Sequence, residues 1–313
     1  MESFLVAINA VIPFLCYITF GYGAKARGVL EEDFLQKLNK MVFRLLYPFM
    51  TFYNIYKADA SMLPRPLLLI FAGASILILE VLLVLAVPKI VKENPRRGVI
   101  IQAIYRSNFV LFGLPLTISV FDESASSVAA MMVTVVVTIY NTTSVVILEM
   151  FNTEGKTDVK TILINVLKNP LLQGACAGLL FFFLQIKVPA SLLKPIAAFA
   201  DMTSPLALFV LGGTLHFNAI QANLKYLVPT LTFKLVILPA VILAIAYALG
   251  LRGLELFLLI AIYGTPVAAA SYPMAQNMGG DGELAGQFVV ISTVVSVATL
   301  FLWIFFMKST GLI

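Results

Sequence analysis

The chain has 313 residues, 60% of them hydrophobic and 12% charged, with a mean hydropathy of +0.98, whereas roughly a quarter of a soluble globular chain is charged. That balance excludes a soluble fold and points to an all-α integral membrane protein: at about 20 apolar residues per span, the length holds roughly ten helices and no separate soluble domain. The net charge of +5 comes from 21 basic and 16 acidic residues spread thinly between apolar runs, which excludes nucleic acid as a partner.

Cutting the chain at its charge, proline and glycine clusters predicts spans at 3–22, 38–57, 66–88, 98–121, 126–149, 169–187, 196–217, 226–249, 254–277 and 284–307. The first run follows Glu2 rather than a basic segment and reads as a span, not a cleaved signal peptide. Cys16 and Cys176 lie inside apolar runs and are expected to be small core hydrophobes, with no disulfide, metal or cofactor to hold. With the N-terminus outside, eleven basic residues, Lys156 among them, fall in cytoplasmic connections and six on the other face. The positive-inside rule therefore favours N- and C-termini outside. The longest connection, 151–168, is expected to be a cytoplasmic linker with an amphipathic turn at Ile162, Leu163, Val166 and Leu167.

Shifting the chain against itself by about half its length superposes Pro13 on Pro170, Gly21 on Gly178 and Pro48 on Pro205. After a one-residue insertion, Tyr105–Pro115 (YRSNFVLFGLP) lies over Tyr263–Pro273 (YGTPVAAASYP), Glu123 over Asp281 and Thr134 over Ser292. Five spans per half is an odd number, so the halves (1–150 and 169–313) must enter the membrane in opposite orientations, an arrangement found in transporters.

In such folds, Gly/Pro-interrupted spans at matched positions mark the binding site. Gly113 and Pro115 are predicted to break the fourth span, and Pro266 with Ser271, Tyr272 and Pro273 the ninth. Free backbone groups at mid-membrane are tolerated only where buried or lining a cavity, and half-helix N-termini favour a carboxylate. Ser107, Asn108, Thr265, Ser271 and Tyr272 are the candidate hydrogen-bonding side chains, with Asn54 and Asn141 on the same cavity. Two intramembrane charges, Glu80 and Arg106, are candidates for proton coupling and anion attraction, since mid-bilayer charge costs at least ~2.5–3.5 kcal/mol; a structural ion pair between them is the alternative. His216, the only histidine, is expected at an interface.

"RSNFVLFGLPL", "YGTPVAAASYPMAQNMGGDGELAGQ" and "PLALFVLGGTL" together resemble the auxin efflux carrier family in its short prokaryotic form, within the bile, arsenite and riboflavin transporter superfamily. The resemblance covers essentially the whole chain. It implies ten spans in two inverted five-helix repeats with broken, crossing helices 4 and 9. It also implies a scaffold of spans 1, 2, 6 and 7, a transport domain of spans 3–5 and 8–10, elevator-type alternating access, and a homodimer. A small organic anion would be the substrate, auxin-like acids or dicarboxylates such as malate and malonate, with a proton as the coupling ion and the cell membrane as location. Pro266 stands opposite Asn108, so the symmetric asparagine pair of plant carriers is not offered. The runner-up is a sodium-coupled carrier of the bile-acid type, drawing on Asn141, Thr142, Gln276 and Asn277. No enzyme is expected: intramembrane protease motifs are absent, Met278 replacing the first glycine required before Gly280-Asp281.

Overall fold

In lipid the backbone must satisfy its own hydrogen bonds. Among the described residues it does so with helices, apart from one isolated antiparallel bridge. The computed structural model describes residues 2–57, 64–121, 125–152, 159–216 and 220–313; Glu123, Lys156 and the first part of the 151–168 connection fall outside them.

Helix α1 (Glu2–Ala26) is followed by α2 (Glu32–Met41), which passes through a π-helical turn at Val42–Leu46 into α3 (Tyr47–Tyr56). Helix α4 (Pro66–Ile90) is almost wholly apolar, and α5 is Asn94–Tyr105. A π-helical turn at Phe109–Gly113 leads into α6 (Leu114–Phe121), and α7 (Ser126–Met150) closes the first half. In the second half α8 (Val159–Lys168) meets α9 (Pro170–Phe183) at a 66° bend, Asn169 capping α9 through the Leu171 N–H. Then come α10 (Ala190–Thr214), α11 (Ile220–Thr232), a third π-helical turn (Phe233–Ile237), α12 (Leu238–Ala248), α13 (Leu254–Tyr263), α14 (Ser271–Asn277) and α15 (Gly282–Ser309).

Five stretches among the described residues are long and apolar enough to cross a membrane: Pro66–Ile90, Val128–Met150, Ala190–Thr214, Ile220–Ala248 and Gly282–Ser309, with α8–α9 as a sixth if the bent pair counts as one span. Their outer faces carry exposed Ile70, Ile78, Leu85, Val228 and Leu302, apolar surface of the kind lipid covers. Cys16 and Cys176 belong to this outer surface: both are exposed, not core residues as expected. Their helices turn other residues inward, Val11, Phe14, Ile18 and Gly21 on α1 and Leu171, Gly174, Ala175 and Gly178 on α9. The amphipathic turn ahead of α9 is a helix, burying Val166 and exposing Leu163 and Leu167.

Two seams hold the helices nearest the site. Helix α1 lies along α10, and α3 lies along α9. On the first, a Cβ at Gly21 would sit 1.8 Å from the Phe209 carbonyl oxygen; on the second, a Cβ at Gly178 would sit 3.0 Å from that of Phe52. The two glycines superposed by the half-length shift thus meet backbone oxygens of phenylalanines that the same shift superposes, Phe52 on Phe209.

The fourth and ninth predicted spans, 98–121 and 254–277, are not continuous helices: the ninth breaks around Pro266, one of the positions expected, whereas the fourth breaks upstream of Gly113 and Pro115, and Ser271 and Pro273 lie in the helix that resumes after the ninth's break. Helix α5 ends at Tyr105 and residues 106–108 are extended or irregular; α13 ends at Tyr263 and helix resumes only at Ser271. Pro115 and Pro273 sit in the first turns of α6 and α14. Pro273 needs no N–H there because a first-turn N–H has no partner within its helix. The π-helical turn before α6 closes instead through the Leu114 N–H on the Phe109 carbonyl. Gly113 serves close approach: a Cβ there would lie 2.2 Å from the Phe109 ring and 3.1 Å from the Ala261 carbonyl.

Candidate functional site

The extended segments left by the two breaks cross and pair. Ser107 and Val267 form the antiparallel bridge, the Asn108 N–H donates to the Pro266 carbonyl at 2.8 Å, and the Ala268 N–H reaches the Arg106 carbonyl at 3.4 Å. Ser292 of α15 accepts the Val267 N–H at 3.0 Å. Pro266 has no N–H to return to Asn108, so the pair is one-sided at its centre. Every residue from Tyr105 to Phe109 and from Tyr263 to Ala270 is buried. Backbone that could not survive in lipid is thereby satisfied partly by the other segment and partly by side chains.

A cavity of about 320 Å³ opens against one face of this crossing. Arg106, Ser107 and Asn108 form its floor with Ala268–Ala270, and Tyr140 and Asn141 of α7 form one wall. Tyr47, Met50 and Asn54 of α3 and Asp201 and Ser204 of α10 form the opposite wall, and Lys57 lies at the far end. Phe109, Val110 and Leu111 also line it, so the leading N–H groups of the 109–121 helix, which have no partner within the helix, lie beside the cavity. The other end of α3 is shut off by an apolar cluster that includes Val42, Phe43, Leu46, Val145, Met274 and Met278.

Arg106 is 3% exposed, and its guanidinium donates to Asn141 Oδ1 at 2.7 Å and contacts the Met274 sulfur. Asn108, 7% exposed, precedes the 109–113 turn without a side-chain capping bond, and the buried Tyr47 hydroxyl has no partner among the described residues. Both residues line the cavity, and the Tyr47 hydroxyl is left unsatisfied, as buried polar groups rarely are. Asn54 lines the same space, as expected.

Several sequence candidates sit elsewhere. Thr265 is fully buried and donates to the Ala261 carbonyl at 2.8 Å, a kink-stabilising bond within its own helix end. The Tyr272 hydroxyl pairs with Thr214 at 2.6 Å, because α14 turns that face toward α10. Ser271 is buried with an unpaired hydroxyl but does not line the cavity, and neither do Gly113, Pro115, Pro266 and Pro273, which shape the backbone. Glu80 and Arg106 form no ion pair among the described residues. Glu80, on α4, accepts from Thr143 at 2.6 Å, and Thr143 also reaches the Tyr105 hydroxyl at 3.4 Å. Glu80 therefore belongs to a polar network with Thr143 and Tyr105, none of which lines the cavity. Nor are the sodium-ligand candidates gathered: Asn141 Oδ1 is taken by Arg106, Asn277 donates to the Pro273 carbonyl beyond the apolar cluster, and Gln276 is exposed. His216 is exposed just past α10.

Sequence reasoning missed Tyr47, Tyr140, Lys57, Asp201 and Ser204 on the cavity and Lys234 behind it. Lys234 lies fully buried in the π-helical turn between α11 and α12, its ammonium bonded to Ser107 Oγ. The signal was present: a lysine in the middle of an apolar run is as informative as Glu80 or Arg106.

The model of the membrane transport protein family matches residues 6–304. An uncharacterized transporter of Methanocaldococcus jannaschii is 23% identical over 309 residues, covering 96% of this chain and 98% of its own. An uncharacterized transporter of Methanothermobacter thermautotrophicus is 22% identical over 305 residues, with the same coverage. A Rhizobium meliloti protein provisionally described as a malonate transporter is 29% identical over 149 residues, 46% of this chain and 45% of its own. The chain belongs to the membrane transport protein family, the auxin efflux carrier family that its broken-helix motifs resemble.

Proposed function

We propose that the protein is a secondary active transporter of a small organic anion, a carboxylate or dicarboxylate, and that the cavity at the crossing is its binding site. The observation that carries this reading is the buried Arg106 guanidinium, bonded only to Asn141 and Met274 and to no carboxylate, beside a cavity that Asn108 lines and where the Tyr47 hydroxyl lacks a protein partner. Charge-assisted bonds from a guanidinium and free helix N–H groups are the donors a carboxylate needs. The Rhizobium relative's description as a malonate carrier agrees with that chemistry.

Ten spans in two inverted repeats are the architecture we assign. The mirrored Gly21–Phe209 and Gly178–Phe52 contacts support it, as does the meeting of Asn108 with Pro266, positions that the self-comparison superposes. In this reading α1, α2–α3, α9 and α10, packed along one another, form the scaffold, and the helices carrying the crossing move against it as an elevator. With both termini outside the cell membrane, Lys57 lies on the outer side, so the cavity opens outward and the apolar cluster around Met274 and Met278 closes the inner path. Glu80 is the proton-coupling group: a buried carboxylate with one hydroxyl donor gains and loses a proton more readily than one locked in an ion pair.

Thermal unfolding of the purified protein with malonate, malate and monocarboxylates, with and without sodium, tests the reading, because a ligand that binds only the folded state raises the unfolding temperature. A sodium-independent rise with a carboxylate is expected. No rise with any of them overturns the anion site, and a rise only in sodium replaces proton coupling with sodium coupling.

A further inference from the structure

Lys234 is 0% exposed, and among the described residues its ammonium has one partner, the neutral Ser107 hydroxyl. Arg106 has only neutral partners as well, Asn141 and Met274. The ion pairs of the described residues join Lys25 with Glu32, Lys37 with Asp33, Arg65 with Glu255, and Arg96 with Glu93 and Asp281. None of them includes Lys234 or Arg106. Two buried basic side chains therefore flank one extended strand of the crossing without a carboxylate from the chain. Buried charge is tolerated when it is paired, and removal of one partner from a buried pair is strongly unfavourable. Ser107 is the one residue that both lines the cavity and holds Lys234. Side chains alternate along extended backbone, so the Ser107 hydroxyl and the ammonium it holds lie on the face of the segment opposite Arg106 and Asn108, where a negative ligand would feel the charge across one strand.

Resting on the reading of the cavity as an anion site, we propose that Lys234 is a positioning residue that holds, through Ser107, a second positive charge against the substrate, so that the site prefers a dianion to a monoanion of the same shape. Arg106 meets one carboxylate directly. Lys234 orients the Ser107 hydroxyl and offsets the second charge, so the loaded site is close to neutral.

The test separates charge from structure. Malonate, a dianion, and malonamate, its monoamide and a monoanion of nearly the same shape, are titrated calorimetrically into the wild-type protein and into Lys234→Gln. Lys234→Met is made in parallel so that misfolding of one variant leaves the other to decide, and Lys234→Arg serves as the charge-preserving control. Coulomb energy is linear in ligand charge, so the fold-loss for the dianion is about the square of that for the monoanion: about tenfold for malonamate and about a hundredfold for malonate. Lys234→Arg is expected to retain malonate binding better than either neutral variant. Equal fold-losses for the two ligands, or unchanged malonate affinity, overturn the role of Lys234 while leaving the anion site standing. A wild-type protein that prefers malonamate refutes the dianion, and one that binds neither ligand removes the anion site and this assignment together.

Discussion

Gly21→Ala is the sharpest test of the frame that carries the site. A Cβ at Gly21 falls 1.8 Å from the Phe209 carbonyl oxygen, where ordinary contact begins at 3.4 Å, so α1 and α10 must part by about 1.6 Å. The opposing Gly212 makes the converse approach, its Cβ position lying 1.9 Å from the Ile18 carbonyl, so the seam has backbone on both sides and nothing soft to give way. Separation on that scale forfeits much of the dispersion attraction along the seam. Overpacking typically costs about 1–3 kcal/mol, and a backbone obstacle belongs at the upper end. The gain in helix propensity from Gly to Ala returns about 0.5–1 kcal/mol, leaving a net loss of about 2 kcal/mol. At roughly 2–4 °C per kcal/mol for a chain of this size class, the apparent Tm of purified protein falls by about 4–8 °C. Gly23→Ala on the same helix is the control: a Cβ there meets nothing within 4 Å, so only the propensity gain remains and Tm holds or rises. If Gly21→Ala melts with Gly23→Ala, α1 does not lie against α10 as described.

Three further outcomes are expected. Asn108→Ala removes an amide from the cavity but keeps the backbone bond to Pro266, so calorimetric malonate affinity should fall by ~1.5–3 kcal/mol, about 10–150-fold, with expression intact; wild-type affinity would take Asn108 out of the site. Glu80→Gln keeps an acceptor for Thr143 but cannot release a proton, so uptake driven by a pH gradient into proteoliposomes should be lost while substrate exchange persists; retained pH-driven uptake refutes the coupling role. Asp281→Ala removes both the cap on the Leu284 N–H and the 3.0 Å bond to Arg96, for a loss of about 1–2 kcal/mol in thermal unfolding. Asp281→Asn keeps the cap and should lose less than half as much. Equal losses would assign the stability to the ion pair instead.

Membrane class and the existence of two interrupted helices were legible because hydropathy and proline act through the residue's own chemistry. Pro266 marked the break in the ninth span, but the position of the break in the fourth was not legible, because a helix in lipid ends where the freed backbone finds partners, and those partners lie in the other half of the chain. Asn108 and Pro266 meet across 158 positions of sequence, and no local pattern around Pro115 or Pro273 reports that. The cavity divides in the same way. Asn54, Arg106, Asn108 and Asn141 stand out as polar groups in apolar runs and do line it, whereas Tyr47 and Tyr140 read as ordinary membrane aromatics until their hydroxyls are placed.

The electrostatics of the crossing then follow from which groups have been left without opposites. Glu80 and Arg106, taken from sequence alone, admit a simple ion pair, and a paired site would have no use for a charged ligand. The structure hands Glu80 to Thr143 and Arg106 to Asn141, separating the two charges by their neutral partners. Lys234 adds basic character on the far side of Ser107. Basic groups at the floor, against the single carboxylate of Asp201 in the wall, are the charge balance on which the proposed anion site rests. In the proposed reading, discharging Glu80 by protonation would raise the net positive charge near the crossing, so that proton binding and anion binding would favour each other. By linkage that reciprocity is a coupling free energy, and it gives a proton-coupled anion carrier its thermodynamic basis without requiring Glu80 to touch the substrate.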